Sequence, residues 1–217
     1  MPRSYRLGKR KDGVSASRER VIDATRRLLG LRGYHQVSVE TVADAAGVSR
    51  ATVYNQFRSK QGILEAVLDD IGRRIQFDRV LAALADADPR RAAWRLVVES
   101  ATGWTRDRKV IGRILGLVAA DPELATLVEK HELGRRRPIR LLVNRLHRFS
   151  GLRPGVGKAD AYAMLGAVTG FATYNLLREM GLRGLALNRA LARFAGAVVD
   201  FDGGVAAESQ QGTHGRR

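Results

Sequence analysis

The chain has 217 residues, of which 45% are hydrophobic, so it can bury the core of one or two domains. It contains no cysteine, which excludes a disulfide framework and a thiolate zinc site. Its 38 Lys and Arg residues against 22 Asp and Glu give a formal net charge of +16, which favours a polyanionic partner. Residues 1–60 hold 13 basic and 5 acidic residues, so half of the excess charge, +8, lies in this segment.

The first sixteen residues are basic and carry almost no apolar side chains. This composition predicts a flexible arm over residues 1–16, and the missing apolar run argues against a signal peptide. The arm either contacts DNA, along the backbone or in the minor groove, or is a solvated tail, and both interpretations stay open. Its basic residues are Arg3, Arg6, Lys9, Arg10 and Lys11.

Two short helices separated by a tight turn are predicted between Ser38 and Phe57. The apolar residues of the first recur at three- and four-residue spacing, and Ser38 is its predicted N-cap. Gly47 can take a positive φ in the turn, and Ser49 is expected to cap the second helix. A longer amphipathic helix over 17–31 precedes them and completes a three-helix arrangement.

The second short helix has one apolar and one polar face. Val53 and Phe57, four residues apart, predict the buried face. The opposite arc has no carboxylate and consists of Ala51, Thr52, Tyr54 and Asn55. Methyl groups suit the thymine methyl, Asn can bond a base edge, and Tyr can reach a phosphate, so this arc suits the major groove of DNA. An ordinary helical hairpin in a protein core is the alternative interpretation.

The run AGVSRATVYNQFRSKQGIL resembles the recognition helix and the next helix start of the tetracycline-repressor (TetR) family of bacterial transcription regulators. The resemblance covers about residues 18–71. It implies an all-α protein of about nine helices, with a helix-turn-helix DNA-binding domain over 17–77. It also implies a set of DNA contacts, namely Ser38, Thr41, Ser49, Arg50, Ala51, Thr52, Tyr54, Asn55, Gln56 and Lys60. The family often has His or Tyr at the place of Gln56, and Gln can still bond a phosphate oxygen.

The remainder of the chain is predicted to be helical, and the expected regulatory and dimerisation domain spans 78–202. A break over 86–89 ends the connection from the DNA-binding domain. Separate helices are predicted over 90–105 and 110–119. Pro138 predicts a kink or break within a later, long helix.

Residues 161–177 carry no charge, which predicts one helix buried on more than one side rather than a membrane span. This helix and the last one, over 185–201, are the expected dimer interface, and the last one resembles a dimerisation helix of the TetR family. The interface residues are Tyr162, Leu165, Gly166, Thr169, Gly170, Leu187, Leu191, Phe194 and Val198. Gly166 and Gly170 would let a partner backbone approach closely. Residues 203–217 are expected to be disordered.

Large aromatic side chains in the same domain are candidates for an effector pocket. They are Trp94, Trp104, Phe171 and Tyr174, with Asn175 as a polar anchor. Each of them also fits a role in the protein core. The four histidines lie at no metal-ligand spacing, so no metal is expected, and no cofactor is expected either. No nucleophile or phosphate-loop motif indicates an enzyme.

The resemblance implies a homodimeric repressor in the bacterial cytoplasm that leaves a palindromic operator when a small apolar or aromatic effector binds. The expected partners are double-stranded DNA, a second copy of the chain and that effector, with no membrane. Two alternatives stay open. One is a constitutive DNA-binding regulator without an effector, and the other is a ligand-binding helical protein whose helix-turn-helix is a relic.

Overall fold

The computed structural model is all-α, which confirms the predicted fold class. It describes residues 3–32, 36–74 and 77–201, with side chains from residue 13 in the first segment and from residue 80 in the last. The described residues form ten α-helices: α1 (Arg3–Leu31), α2 (Val39–Ala46), α3 (Arg50–Phe57), α4 (Lys60–Arg74), α5 (Phe77–Leu84), α6 (Pro89–Leu117), α7 (Pro122–Arg148), α8 (Lys158–Val168), α9 (Phe171–Glu179) and α10 (Gly184–Ala195). A short 3₁₀ turn over Val118–Ala120 links α6 to α7. The predicted disordered tail lies outside the described residues.

The first helix is longer than predicted. α1 begins at Arg3, so residues 3–16 are helical where a flexible arm was expected. Arg and Lys are good helix formers, and a helix already packed at one end extends without a new nucleus. Among the side chains described from residue 13 onward, the first buried one is Ser17, which is 8% exposed, and Val21 is fully buried. The apolar pattern therefore located the packed part of α1 and not its first residue.

Two further predictions, for the middle of the chain, differ from the structure. The helices predicted over 90–105 and 110–119 are one helix, α6, with a non-helical residue at Asp107 (φ −111°, ψ 17°). α7 continues through Pro138 without a break, and the kink, the other predicted outcome at this proline, stays a prediction. The helical carbonyl that Pro138 cannot bond belongs to Gly134, which is exposed, so water can bond that carbonyl instead.

The uncharged helix predicted over 161–177 is two helices, α8 and α9, separated at Thr169 and Gly170. Gly170 has an extended backbone (φ −77°, ψ 154°) and is the N-cap of α9. The Trp104 indole N–H donates to the Thr169 carbonyl at 2.9 Å. The Arg135 guanidinium donates to the Thr169 hydroxyl at 3.2 Å and to the Gly166 carbonyl at 3.4 Å. These donors satisfy polar groups at the break, which favours two helices over one.

The chain folds as two units. Among the described residues, the first consists of those up to Gly72 together with Asp107–His131, and the second of those within 73–106 and 132–201. α6 and α7 thus contribute one part to each unit. The predicted division at residue 77 differs, because it placed all of α6 and α7 in the C-terminal domain. The core of the first unit includes Val21, Val42, Val53, Ile63 and Val67, each at most 2% exposed.

Charged contacts join Asp107–His131 to other helices of the first unit. The Arg26 guanidinium of α1 lies 3.4 Å from an Asp70 carboxylate oxygen of α4 and 3.7 Å from one of Asp107. Lys130 of α7 pairs with Glu65 of α4 at 2.8 Å. These ion pairs therefore join residues 107–131 to α1 and α4, the helices that precede α2 and follow α3 in the sequence.

Arginine side chains bond backbone carbonyls at the C-terminal ends of six helices. The last carbonyls of a helix have no intrahelical partner, and a cation there also interacts favourably with the helix dipole. The donors are Arg113 at α1 (Leu29 and Arg32), Arg20 at α2 (Ala46), Arg18 at α3 (Gln56), Arg145 at α5 (Leu84, Asp86 and Ala87), Arg135 at α8 (Gly166) and Arg153 at α10 (Gly196). Part of the basic charge of the chain thus serves the fold.

Candidate nucleic-acid interface

A reciprocal capping box starts α2. The Ser38 hydroxyl accepts a hydrogen bond from the Thr41 backbone N–H at 3.1 Å, and the Thr41 hydroxyl oxygen accepts one from the Ser38 N–H at 3.0 Å. Both residues are half-buried. The predicted N-cap at Ser38 is confirmed, and these two proposed DNA contacts already serve as the caps of α2.

The turn between α2 and α3 has the predicted left-handed residue. Gly47 has φ 62° and ψ 43°, and the Val48 N–H donates to the Ala43 carbonyl at 3.0 Å. This pattern closes the end of α2 as a Schellman motif does. Ser49 then caps α3 by accepting the Thr52 N–H at 3.1 Å. α3 therefore begins shortly after α2 ends, with its direction reset by the turn.

α3 exposes the predicted polar arc and buries the predicted apolar face. Val53 is 1% and Phe57 5% exposed, which fixes the rotation of the helix about its axis. Ala51, Tyr54 and Asn55 are exposed, and Tyr54 has 44% of its surface accessible. Thr52 is half-buried, and its hydroxyl lies 2.9 Å from the Ser49 hydroxyl. The exposed arc is therefore accessible to a groove of DNA.

Gln56, the phosphate contact that the resemblance implies, has an intramolecular partner. Its side-chain amide donates to the Ser17 hydroxyl of α1 at 2.7 Å, and its side-chain oxygen is buried. The Arg18 guanidinium donates to the Gln56 carbonyl at 3.2 Å and lies 4.5 Å from the centre of the Phe57 ring. Gln56 follows Val53 by three residues, a spacing that already placed it beside the buried face.

Two basic residues border the arc. Arg50, the first residue of α3, forms an ion pair with Glu40 of α2 at 2.6 Å. Lys60, the first residue of α4, is half-buried, and this burial lowers the pKa of its ammonium group although Asp121 acts in the opposite direction. The pair with Glu40 was missed in the sequence, because the two residues are ten positions apart on different helices.

The candidate effector residues do not all meet. Trp104, Phe171 and Tyr174 form one cluster, with ring centres 5.6 Å apart for Trp104 and Phe171 and 6.2 Å for Phe171 and Tyr174. The Tyr174 hydroxyl lies 3.0 Å from the Thr105 hydroxyl. Trp94 instead packs edge-on against Phe201 at 6.4 Å, and the Asn175 amide bonds the Glu179 carboxylate. The structure therefore joins three of the five predicted residues.

Most candidate interface residues are buried within a single copy of the chain, which corrects that prediction. Leu165 and Val198 are 0% exposed, and Leu187, Leu191 and Thr169 are at most 3% exposed. Tyr162, Gly166 and Gly170 are half-buried, and of the predicted set only Phe194, at 49%, keeps a large exposed surface. The buried sides of α8 and α10, with Leu165, Leu187 and Leu191, face the core of their own unit. Periodicity predicts such a buried side but does not tell whether its neighbour is the same chain or a partner.

Two further features bear on the kind of site. None of the helices in the described part of the chain has the length and hydropathy that a membrane crossing requires. Among the residues that the structure describes, His, Asp and Glu side chains do not gather in groups of three that could hold a metal ion.

The fold and the exposed arc of α3 define a helix-turn-helix protein of the all-α class. Residues 21–67 match the family model of bacterial regulatory proteins of the tetR family. Over these residues the chain has the helix-turn-helix segment of the tetR family.

Similar proteins share either the helix-turn-helix segment or the fold. The HTH-type transcriptional regulator AlkX of Mycobacterium tuberculosis is 40% identical over 67 residues, which cover 31% of each chain. The matched segments cover between 26% and 47% of the length of the curated relatives. A TetR-family transcriptional regulator from Rhodococcus has a TM-score of 0.71 at 16% identity, covering 84% of this chain and 98% of that one. A transcriptional regulator from Saccharomonospora viridis in complex with choline has a TM-score of 0.65 at 26% identity, over 85% and 98%.

Proposed function

We propose that the chain is a sequence-specific DNA-binding repressor that acts as a homodimer and is released from its operator by a small molecule. The observation that carries this proposal is the exposed arc of α3. Val53 and Phe57 anchor the helix, and Ala51, Tyr54 and Asn55 are presented to solvent without a carboxylate among them. A short, capped helix with such a face fits the major groove.

Two kinds of contact are expected from this arc. Asn55, Ala51 and Thr52 read base edges, because Asn can bond adenine in two places and methyl groups can meet the thymine methyl. Tyr54 and Lys60 bind phosphates, which fixes the position of α3 without reading the sequence. Partial burial already lowers the pKa of Lys60, and a phosphate would favour its charged form.

The experiment compares Asn55→Ala and Lys60→Ala on DNA from upstream of the coding sequence and on random DNA, over a series of salt concentrations. Lys60→Ala should weaken binding to both DNAs and lower the slope of log K against log salt by about 1 for each phosphate that the ammonium group neutralises. Asn55→Ala should cost about 1–3 kcal/mol on the specific DNA and leave random DNA unchanged.

Lys109→Ala is the matched control, since Lys109 is an exposed lysine of α6. It removes the same charge from a helix other than α3 and α4, and the salt slope should stay close to that of the wild type. Equal losses on both DNAs for Asn55→Ala would refute base reading by this residue. A wild-type chain without any preference between the two DNAs would refute sequence-specific binding.

Exposed apolar side chains in the second unit support a homodimer. Met164 of α8, Leu176 of α9 and Phe194 of α10 are 38%, 57% and 49% exposed. A two-fold dimer formed through such a surface would present two copies of α3 to DNA. Two recognition helices about 34–36 Å apart reach successive major grooves, so the operator would be a palindrome.

The cluster of Trp104, Phe171 and Tyr174 supports an effector site in the second unit. Choline is bound in the similar structure from Saccharomonospora viridis, and aromatic faces bind quaternary ammonium groups as well as flat apolar rings. A ligand that binds one conformation of the dimer more tightly than the other shifts the population toward it. The constitutive alternative predicts that no ligand changes DNA affinity.

A further inference from the structure

One exposed carboxylate lies beside the candidate DNA-binding residues. Glu40 is in the first turn of α2, between Ser38 and Thr41, and its side chain is 48% exposed. A carboxylate in this place would repel phosphates if it stood alone. Its oxygen lies 2.6 Å from the guanidinium of Arg50, whose side chain is 58% exposed. The pair therefore joins the start of α2 to the start of α3.

Glu40 stays ionised at neutral pH. Its own backbone N–H, the Ser38 hydroxyl and then the Arg50 guanidinium hold the pKa of the Glu40 carboxyl below its ordinary value. Protonation cannot remove the negative charge near neutrality. The repulsion between Glu40 and DNA is thus balanced by the positive charge of Arg50.

The stability of the fold does not account for this pair. An ion pair with both partners so exposed contributes little to folding, because water and salt screen it and two long side chains lose freedom. The start of each helix is secured independently by its own cap, Ser38 for α2 and Ser49 for α3. The pair does have a geometric effect, since it restricts a long cationic side chain at the edge of the recognition helix.

We propose that Glu40 is a specificity-determining positioning residue that holds Arg50 for a guanine base edge and away from phosphates. This inference rests on the proposed DNA recognition by α3. A free arginine binds any phosphate, which raises affinity for all DNA. An arginine with one side of its guanidinium held by a carboxylate keeps the other donors for the O6 and N7 acceptors of guanine. Glu40 would therefore lower binding to random DNA and favour one base.

The test uses the full chain and sequences selected from a random DNA pool by the wild type. Glu40→Gln keeps the shape of the side chain and removes its charge. Asp44→Asn is the matched control, because Asp44 is exposed on the same helix and the variant removes the same charge. Affinity for the selected sequence and for random DNA is measured for each variant at several salt concentrations.

The expected result is a ratio of specific to random affinity that falls roughly fivefold to tenfold in Glu40→Gln, with tighter binding to random DNA. Asp44→Asn should leave the ratio within about twofold. In an Arg50→Lys background, Glu40→Gln should no longer change the ratio, because lysine lacks the planar guanidinium group that Glu40 positions. A second selection with Glu40→Gln should show a weaker preference at one guanine position.

Equal ratios for Glu40→Gln and Asp44→Asn would overturn the proposal, since any effect would then be one of general charge. An undiminished effect of Glu40→Gln in the Arg50→Lys background would also overturn it. A wild type that enriches no sequence from the pool would refute the proposed function itself, and this inference with it. That outcome is distinct, because it is seen before any variant is measured.

Discussion

Gly47 offers a sharp test of the turn that orients α3. Its φ of 62° and ψ of 43° lie in the left-handed region, and a Cβ at this position would meet no atom within 4 Å. Gly47→Ala therefore introduces backbone strain without a steric clash. The hydrogen bond from the Val48 N–H to the Ala43 carbonyl can persist in the variant. Any change in stability then reports the conformation of a single residue.

The magnitude follows from two opposing terms. An L-residue in the left-handed conformation costs roughly 1–2 kcal/mol. Replacing Gly by Ala also restricts the unfolded chain, which stabilises the fold by about 0.4–1 kcal/mol. We expect Gly47→Ala to lower the free energy of unfolding by about 0.5–1 kcal/mol. Gly47→Asn should cost less, since Asn tolerates this conformation better.

Gly72→Ala is the matched comparison. Gly72 lies within α4, and a Cβ there also meets nothing within 4 Å. Because its backbone is helical, Ala should raise the free energy of unfolding by about 0.5–1 kcal/mol. Urea denaturation followed by far-ultraviolet circular dichroism, at one protein concentration, measures both variants. Changes of the same sign for Gly47→Ala and Gly72→Ala would refute the reasoning.

Three further outcomes are expected. Leu176→Arg should convert the proposed dimer to monomers in sedimentation. Leu31→Arg, at an exposed leucine of α1, should leave the dimer intact. A dimeric Leu176→Arg variant would exclude the α9 surface from the interface. Burial raises the pKa of Glu132, but the Arg135 and Arg136 guanidinium groups outweigh it and hold the pKa below the ordinary 4.5. A carboxyl group whose pKa is lower in the folded than in the unfolded state stabilises the fold at pH values above its unfolded pKa. The loss of stability in Glu132→Gln should therefore be constant above about pH 5 and shrink as the pH falls below 4.5. Calorimetry should show that operator DNA weakens effector binding by the factor by which effector weakens DNA binding; equal effector affinity with and without operator would exclude a ligand switch.

Local chemistry explains what the sequence predicted well. The cap at Ser38, the left-handed Gly47 and the buried pair Val53 and Phe57 depend on residues within one or two helical turns. Such features follow from backbone geometry and periodicity. The outer arc of α3 was predicted correctly for the same reason, because burying two residues of a helix fixes the direction of the others.

Long-range contacts explain the errors. The hydrogen bond from Gln56 to Ser17 was not predicted, because Ser17 is 39 residues away. At the break between α8 and α9, Thr169 accepts hydrogen bonds from Trp104 and Arg135, which are 65 and 34 residues away in the sequence. The apolar residues Leu165 and Leu191 were correctly predicted to be buried, but periodicity does not tell whether the neighbour belongs to the same chain. Met164 and Leu176 are exposed, and the sequence did not single them out because the structure is needed to show which side of each helix is buried.

The arginines at the helix ends have a consequence for anyone who re-engineers the surface of this protein. Only six of its 38 basic residues are lysines. Exchanging arginines for lysines keeps the formal net charge at pH 7 unchanged, so such variants would pass any filter based on that charge. An ammonium group is not a planar fork, however, and Arg153→Lys or Arg113→Lys would lose the geometry that reaches the carbonyls. At these positions, arginine and lysine carry equal charge, but only arginine has the planar group that bonds the carbonyls at the helix ends.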